Sequence, residues 1–399
     1  MPKQTVAPEA RSAVLVETRR LKMARSPLAF VRGSTTRFYD WLESAAGSAL
    51  PDGPPVWICG DCHLGNLGPL ADRQGRVAIQ IRDLDQTVIG NPAHDLVRLA
   101  LSLASAARGM ELPGVATAMM LEGLAGGYAE GLGAGEAEAP PLEPPQLLHR
   151  LLKRSIHRRW SGLARERLNG ERPHIPLGRS FWPLTPDERA AIDALTKDAS
   201  IAASVRGIRG RDGGLKVIDA AYWQKGCSSL GRLRYAAILQ AGDGDGARLG
   251  LIDLKEATTP AAPRARGAGM PRDNAKRVLT GAAALSPHLG QRMVAARLLG
   301  KAMVLRELMP QDLKIELERL TASEAVALAR YLGAVVGHAH GRQMDSADRA
   351  EWRRDLLRGG ASTTEVPTWL WSTTVELLGL HESAYLDHCR RFALTATRR

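Results

Sequence analysis

Two short stretches of the chain hold residues whose types and spacing suit phosphate chemistry. Val56-Trp57-Ile58-Cys59-Gly60-Asp61-Cys62-His63-Leu64-Gly65-Asn66 runs from an apolar stretch into a turn with an aspartate and, five positions later, an asparagine. Arg82-Asp83-Leu84-Asp85 is a second acidic turn, again behind an alternating apolar run of Val77, Ile79 and Ile81. Carboxylates and a carboxamide at two strand ends would hold a divalent metal and the phosphates it bridges, because hard cations take oxygen ligands. Asp61 would accept the proton of an acceptor hydroxyl. Asn66 and Asp83 would hold magnesium, with Asp85 a further or supporting ligand.

A third stretch adds the parts that grip a nucleotide. Three runs read as strands, at Val217–Trp223, Arg234–Leu239 and Leu249–Leu254, and form an antiparallel meander. The turn between the first two is Gly226-Cys227-Ser228-Ser229-Leu230-Gly231. Gly226 and Gly231 would let backbone N–H groups approach a phosphate, with Ser228 and Ser229 as extra donors. Lys255 stands just after the third apolar run. Taken alone, this turn is an ordinary hairpin and Lys255 a surface lysine. Together with Asp61, Asn66 and Asp83 they compose the working parts of a kinase, where a glycine turn covers ATP and a third-strand lysine reaches its phosphates. Arg32 suits bidentate contact with phosphate, or else a structural salt bridge.

These residues need elements to position them. The spacing predicts a helix over 9–24, a turn and short extended piece over 26–33, and a helix over 34–47. Two strands with their acidic turns fill 56–86. Asp95 starts a long apolar helix through Ala107, and another runs to Leu132. Gly133 to Pro145 is Gly, Glu and Pro rich and reads as a connection. Residues 146–169 are helical and basic. A further helix follows Trp182-Pro183-Leu184-Thr185. Beyond the meander come helices at 271–285 and 289–300, a strand at 302–308, and helices at 322–342, 346–358 and 369–396.

Composition sets the outer bounds. The chain has 399 residues, 44% hydrophobic and 24% charged, which is ordinary for a globular protein. No run approaches the roughly 18 apolar residues of a membrane helix. The first 25 residues have no apolar segment of secretory type, and four cysteines make no disulfide framework, so the expected compartment is the cytoplasm. Net charge is +12. Arginine is spread along the chain, which fits a solvated basic surface as well as an anionic ligand. The basic helix from Leu148 to Arg167 is either a solvated face or a contact for an anionic substrate or RNA. Its single aromatic, Trp160, gives little support to base stacking.

The order of the parts is unusual, since the glycine turn and lysine follow the acidic loop by more than 150 positions. A circular permutation reconciles this. The helix ending in Gly337-His338-Ala339-His340-Gly341-Arg342 would then lead into the loop at Asp61. One ordered set of motifs carries a family resemblance. It comprises Phe30-x-Arg32-Gly33, Cys59-Gly60-Asp61-x-His63-x-x-Asn66, Asp83-x-Asp85, Asp95-Leu96-x-Arg98-Leu99-Ala100 and Leu254-Lys255-Glu256-Ala257. It resembles the bacterial domain-of-unknown-function family 2252, over roughly residues 20–395. That family in turn resembles the protein-kinase-like superfamily, nearest to aminoglycoside and choline phosphotransferases. The resemblance implies an α+β, two-lobed kinase-like fold in circularly permuted order, with a small antiparallel-sheet lobe and a larger helical lobe. Residues 1–200 would supply the catalytic loop and helices, 201–310 the sheet lobe, and 311–399 the rest of the helical lobe. It also implies ATP and Mg2+ as cofactors, and Asp95 as the buried aspartate bracing the catalytic loop. The acceptor, whether small molecule or protein, stays open, as does transfer of AMP in place of phosphate.

The chain departs from the kinase pattern at three points. Cys59 stands where a histidine is usual. Leu84 and Gln86 replace the residues expected around the metal-binding aspartate. No glutamate lies between Ala257 and Arg306 to pair with Lys255, leaving Glu256 or Glu307 as substitutes. An inactive nucleotide-binding scaffold is therefore one alternative. A two-metal phosphoesterase is another, built on Asp61-x-His63, Gly90-Asn91 with His94-Asp95, and His338-Ala339-His340, though its further Gly-Asp-x-x-Asp turn is missing. Otherwise His338 and His340 read as helix-surface and capping residues. Cys59-x-x-Cys62-His63 fits haem attachment only in an exported protein. A zinc site lacks a second cysteine pair, and Cys227 and Cys389 read as buried small hydrophobes.

Overall fold

The computed structural model describes residues 5–44, 50–135, 142–157, 173–198, 201, 215–226, 230–242, 248–309, 312–313, 315, 320–358 and 366–393. Three helices open the chain: α1 (Arg11–Met23), α2 (Pro27–Gly33) and α3 (Thr35–Leu42). The expected turn and extended piece at 26–33 is instead α2. Ser26 caps it, accepting from the Ala29 N–H at 3.1 Å, and Pro27 takes the first helical position, where its missing N–H costs nothing.

Residues 56–90 form two short antiparallel ribbons. β1 (Val56–Ile58) pairs with β4 (Val88–Gly90), and β2 (Leu67–Ala71) pairs with β3 (Val77–Ile81). The two strands expected from the sequence are β1 and β3; their partners did not stand out in it. This pairing has a consequence. The loop 59–66 links β1 to β2, and the loop 82–87 links β3 back to β4. Both acidic loops therefore span the same two ribbons and run side by side. The Arg82 N–H donates to the Asn66 carbonyl at 2.7 Å, and the Thr87 hydroxyl to the Ile58 carbonyl at 2.6 Å.

Helices α4 (Ala93–Gly109) and α5 (Gly114–Gly133) follow, then α6 (Gln146–His157) and α7 (Pro186–Leu195). Thr185 and Glu188 form a capping box on α7. On α6, Leu148 and Leu151 are buried while Arg150, Lys153 and Arg154 are exposed. The remainder of the basic stretch, from Arg158 to Arg167, lies outside the described residues. The late helices are α8 (Asn274–Leu285), α9 (Ala322–Gly341), α10 (Ser346–Leu356) and α11 (Thr368–His388). A six-stranded antiparallel sheet combines β5 (Phe181–Trp182), β6 (Leu215–Trp223), β7 (Arg234–Ala241), β8 (Arg248–Glu256), β9 (Met293–Leu298) and β10 (Lys301–Glu307). Its order is β5-β6-β7-β8-β10-β9. Helix α8 lies in the chain between β8 and β9.

The sheet corrects one expectation. Residues 289–300 do not form a helix: after one turn at Pro287–Gly290 the chain becomes β9. Leu299 and Gly300 both have positive φ, 50° and 75°, the signature of a two-residue hairpin turn that returns directly into β10. One face of the sheet packs Leu254, Ile252, Tyr235 and Leu305 against Trp182, Ile192 and Leu15. Segments from the first 200 residues thus help to build the sheet's own core.

The main core is helical, and its tightest seam is α5 against α9. Glycines alternate across it. A Cβ on Gly337 would stand 2.1 Å from the Tyr128 carbonyl oxygen, and one on Gly131 2.1 Å from that of Ala334. Only bare backbone permits this approach. His338 and His340, on α9, are buried and not at the surface. No helix among the described residues is long and apolar enough to cross a membrane. Gly337→Ala is expected to destabilise the fold by about 3 kcal/mol, the cost of an overpacked core, seen as a lower urea midpoint. An unchanged midpoint would show that the seam has slack.

Candidate active site

The loop after β1 is held by one carboxylate. Asp95, in the first turn of α4 and fully buried, accepts from the Cys59 N–H at 2.6 Å and the Gly60 N–H at 2.9 Å. The His340 Nε2 lies 3.2 Å from the same carboxylate, and His340 Nδ1 lies 2.9 Å from the Tyr128 hydroxyl, which accepts from the Trp352 indole at 3.1 Å. Gly60 has φ 73°, and a Cβ there would stand 2.3 Å from the Gln86 carbonyl oxygen, so the turn requires glycine. The Tyr39 hydroxyl donates to the Gly60 carbonyl.

Asp61 follows, 6% exposed. Its Oδ1 accepts from Arg98 Nε at 2.9 Å and its Oδ2 from the Thr35 hydroxyl at 3.0 Å. Burial raises its pKa above the ordinary carboxylate value, against the opposing pull of Arg98 and Thr35. Asn66 donates from Nδ2 to the Asp61 carbonyl at 2.9 Å. Its Oδ1 accepts no hydrogen bond among the described residues, so it offers a lone pair of the kind magnesium takes.

The second acidic loop meets the sheet here. Lys255, on β8, places its Nζ 3.0 Å from Asp83 and 2.5 Å from Asp85. Burial would raise both carboxyls, but Lys255 overrides it at Asp83 and holds that group well below the ordinary range. Burial and the neighbouring Asp83 charge push Asp85 up to about 6. Burial also opposes the Lys255 charge, yet the two carboxylates raise its pKa. One lysine thus serves two acids that titrate apart. Glu256 and Glu307 are not its partners. The Glu256 carboxylate accepts from the Leu233 N–H at 2.9 Å. On α8, where an acid would be expected, Arg277 donates to the backbone carbonyls of Thr87, Asp85 and Thr258.

Two adjoining hollows result. One is lined by Asp61, Asn66, Asp83, Asp85, Gln86 and Arg232. The other shares Asp83 and Asp85 and reaches Lys255, Arg234 and Asp253. Arg234 and Asp253 form a buried ion pair on the Lys255 face of the sheet. Gly226 and Gly231 flank the turn with φ of 87° and 98°. The Gly226 carbonyl accepts from Lys22 at 2.9 Å, and Arg232, next to Gly231, reaches Asp85 at 3.5 Å. Ser228, Ser229 and Cys227 lie outside the described residues. Arg32 lines neither hollow and lies against Gly65.

Arg98 and Thr35 had no role assigned from the sequence. The signal for Arg98 was present, one helical turn after Asp95 on the same face, but its partner lies 37 positions away. Of the residues read as a phosphoesterase set, Asp95 and His340 meet at 3.2 Å and Asp61 and His63 stand 3.9 Å apart. Among the described residues the one cluster of three or more His, Cys, Asp or Glu with ligand atoms within 4.8 Å is Cys59, Cys62 and Asp95. Burial raises the Cys59 thiol; at Cys62 the Cys59 hydrogen bond pulls down, but burial and nearby carboxylates outweigh it. With Asp95 engaged by backbone and His340, this trio packs as neutral thiols around a brace. Cys389 is half-buried.

Residues 11–391 match the model of a family described as an uncharacterized protein conserved in bacteria, DUF2252, and the chain belongs to that family. No curated protein and no solved structure matches it.

Lys255→Met is expected to leave Asp83 and Asp85 with Arg232 as their remaining ion-pair partner, destabilising the protein at pH 7.5 by about 1–2 kcal/mol, less than a fully buried pair would because Asp83 is partly exposed. Their folded-state pKa values would then exceed the unfolded ones. Such groups favour folding at low pH and oppose it as pH rises through the folded value, so the variant should recover between pH 7 and 5. Urea unfolding at pH 7.5 and 5.5 measures this. A deficit equal at both values would mean that the lost stability is packing.

Proposed function

We propose that this DUF2252 member is an ATP- and Mg2+-dependent phosphotransferase, kinase-like in its parts and circularly permuted in their order, acting on an acceptor hydroxyl. One observation carries the reading. Asp61, Asn66, Asp83 and Lys255 come from segments up to 194 positions apart, yet all four border one pair of adjoining hollows. Each is the residue type that phosphoryl transfer needs at that place.

The permuted order has support in the contacts. Past the end of α9, Gln343 accepts from the Trp57 N–H at 2.8 Å and donates to the Trp57 carbonyl at 3.1 Å, so the end of that helix lies beside β1, where a permuted kinase would have it. Lys255 sits at the end of the third strand of the meander β6-β7-β8, and a helix follows.

The donor set fits the ion. Asn66 Oδ1 and the Asp83 carboxylate are hard oxygens, and the Asp83 side chain is 37% exposed. Bound there, magnesium would neutralise charge on the donor phosphates. Lys255 would turn from the carboxylates to those phosphates. Asp61 would orient the acceptor hydroxyl and take its proton as the hydroxyl oxygen bonds to the γ-phosphorus and ADP departs with the bridging oxygen. The raised pKa of Asp61 suits a base. Arg98 keeps the carboxylate aimed. Rate would come from positioning and charge, with no covalent enzyme intermediate.

A nucleotide-binding scaffold is the second reading, and the Arg98 and Thr35 hold on Asp61 favours it. Turnover separates the two. In a thermal-shift titration, ATP with Mg2+ is expected to raise Tm by a few degrees, because a ligand at a hundredfold its Kd adds about 2.7 kcal/mol. ATP without the metal should do much less. Asp83→Asn should lose the metal-dependent part. Absence of a shift with any nucleotide would remove both readings, whereas a shift without ADP formation on any acceptor would favour the scaffold.

A further inference from the structure

The loop at Asp61 carries a cation without a counter-ion. Arg32 lies in the last turn of α2 and against Gly65, where a Cβ would stand 2.9 Å from the guanidinium carbon and from Nε. Its Nε is buried without a hydrogen-bond partner, and Arg32 forms no ion pair among the described residues. The loop's own carboxylate, Asp61, is already taken by Arg98 and Thr35. Two neighbouring nitrogens also lack acceptors, Arg98 Nη1 and His63 Nδ1, both buried. Burial, then the charges of Arg32 and Arg98, hold the His63 pKa well below its ordinary value, so the ring is neutral and both guanidiniums stand near it. Arg98 is paired with Asp61, whereas Arg32 has no carboxylate partner among the described residues.

The metal side is different. There Asp83 and Asp85 meet Lys255 and Arg232, and charges balance. Buried polar groups normally find partners, and a guanidinium presents a fork matched to an oxyanion. Gly65 gives this fork its room. A donor phosphate held between Lys255 and Asp83 would meet the hollows that Arg32 does not line.

We propose that Arg32 recognises the acceptor, and that the acceptor is a hydroxyl compound bearing an oxyanion, a phosphate or a carboxylate, close to the reacting hydroxyl. This rests on the phosphotransferase reading for the word acceptor; the oxyanion site stands on its own geometry. It also sets the protein apart from phosphotransferases of aminoglycosides or choline, because a cationic acceptor would meet Arg32 directly.

Isothermal titration with inorganic phosphate tests the site without any nucleotide. Wild type, Arg32→Gln and Arg32→Lys are compared, each first checked for a native unfolding midpoint. Phosphate is expected to bind at least tenfold more weakly to Arg32→Gln than to wild type, and to an intermediate degree to Arg32→Lys. Phosphate affinity that ignores Arg32→Gln overturns the inference. If Arg32→Gln misfolds, Arg32→Lys decides alone: an unweakened affinity overturns the site. ADP release with MgATP and glycerol, glycerol 3-phosphate or glycerate then compares acceptors. Acceleration by the phosphate or the carboxylate compound, but not glycerol, supports the inference and says which oxyanion is preferred. Acceleration by glycerol alone overturns it. Phosphate binding that depends on Arg32, in a protein that binds no nucleotide, would sink the phosphotransferase reading and leave the oxyanion site standing.

Discussion

Everything at the centre of the molecule hangs on the Asp95 carboxylate. It is fully buried, and it accepts two consecutive loop amides, from Cys59 and Gly60, with His340 as a third partner. Unpaired amides in such a place would each cost on the order of 1–3 kcal/mol. A buried carboxylate without them would cost more. Each side therefore fixes the other. The consequence reaches outward through His340, Tyr128 and Trp352, which belong to α9, α5 and α10. That chain of side chains requires α5 and α9 to approach closely, and the glycine seam grants it. The glycines of one helix pair and the geometry of a loop some distance away answer to the same requirement.

A second constraint is charge. Lys255 ties β8 to the acidic loop, so the sheet and the two ribbons are joined across the hollows by an ion cluster, with Arg232 beside it. In the kinase pattern an acid on the helix after the third strand would hold the lysine. Here α8 instead presents Arg277 to three backbone carbonyls, which fixes the acidic loop and leaves the lysine to the loop's own carboxylates. Under the proposed reading this is a resting arrangement. Metal at Asp83 would compete with the ammonium for the same oxygens, freeing the lysine for phosphate. The absence of the helix glutamate is then a change of partner.

Much of this was legible in the sequence, for local reasons. Strand ends followed by acidic turns mark where side chains leave a sheet, so Asp61, Asn66 and Asp83 could be named as a group. The meander announced itself through alternation and glycine turns. What failed also failed for local reasons. Ser26-Pro27 serves equally well as a turn or as a cap and first helical residue, and packing chose the helix. Residues 289–300 contain Met, Val, Ala and Leu in helical proportion, and the hairpin at Leu299-Gly300 overrode that propensity. His340 looked like a surface residue because the depth of α9 depends on glycines of α5 far away in the chain. Arg98 carried no visible role, since its contact with Asp61 is long-range.

Asp61 gathers these strands of argument. A base needs a lone pair, a raised affinity for the proton and a fixed aim. Burial supplies the affinity, and Thr35 and Arg98 supply the aim. They also lower the affinity, so the same contacts work in both directions. The net direction is upward, which means that desolvation outweighs the pairing. The loop achieves this by placing Asp61 just past the residues that Asp95 clamps, where the backbone cannot retreat from the apolar surroundings of α3 and α4. The same rigidity puts Gly65 under the guanidinium of Arg32, four residues on. The brace that makes Asp61 a candidate base thus also fixes the seat of Arg32, and under the proposed reading the chemistry of the hydroxyl and the recognition of the charge beside it would be properties of one loop.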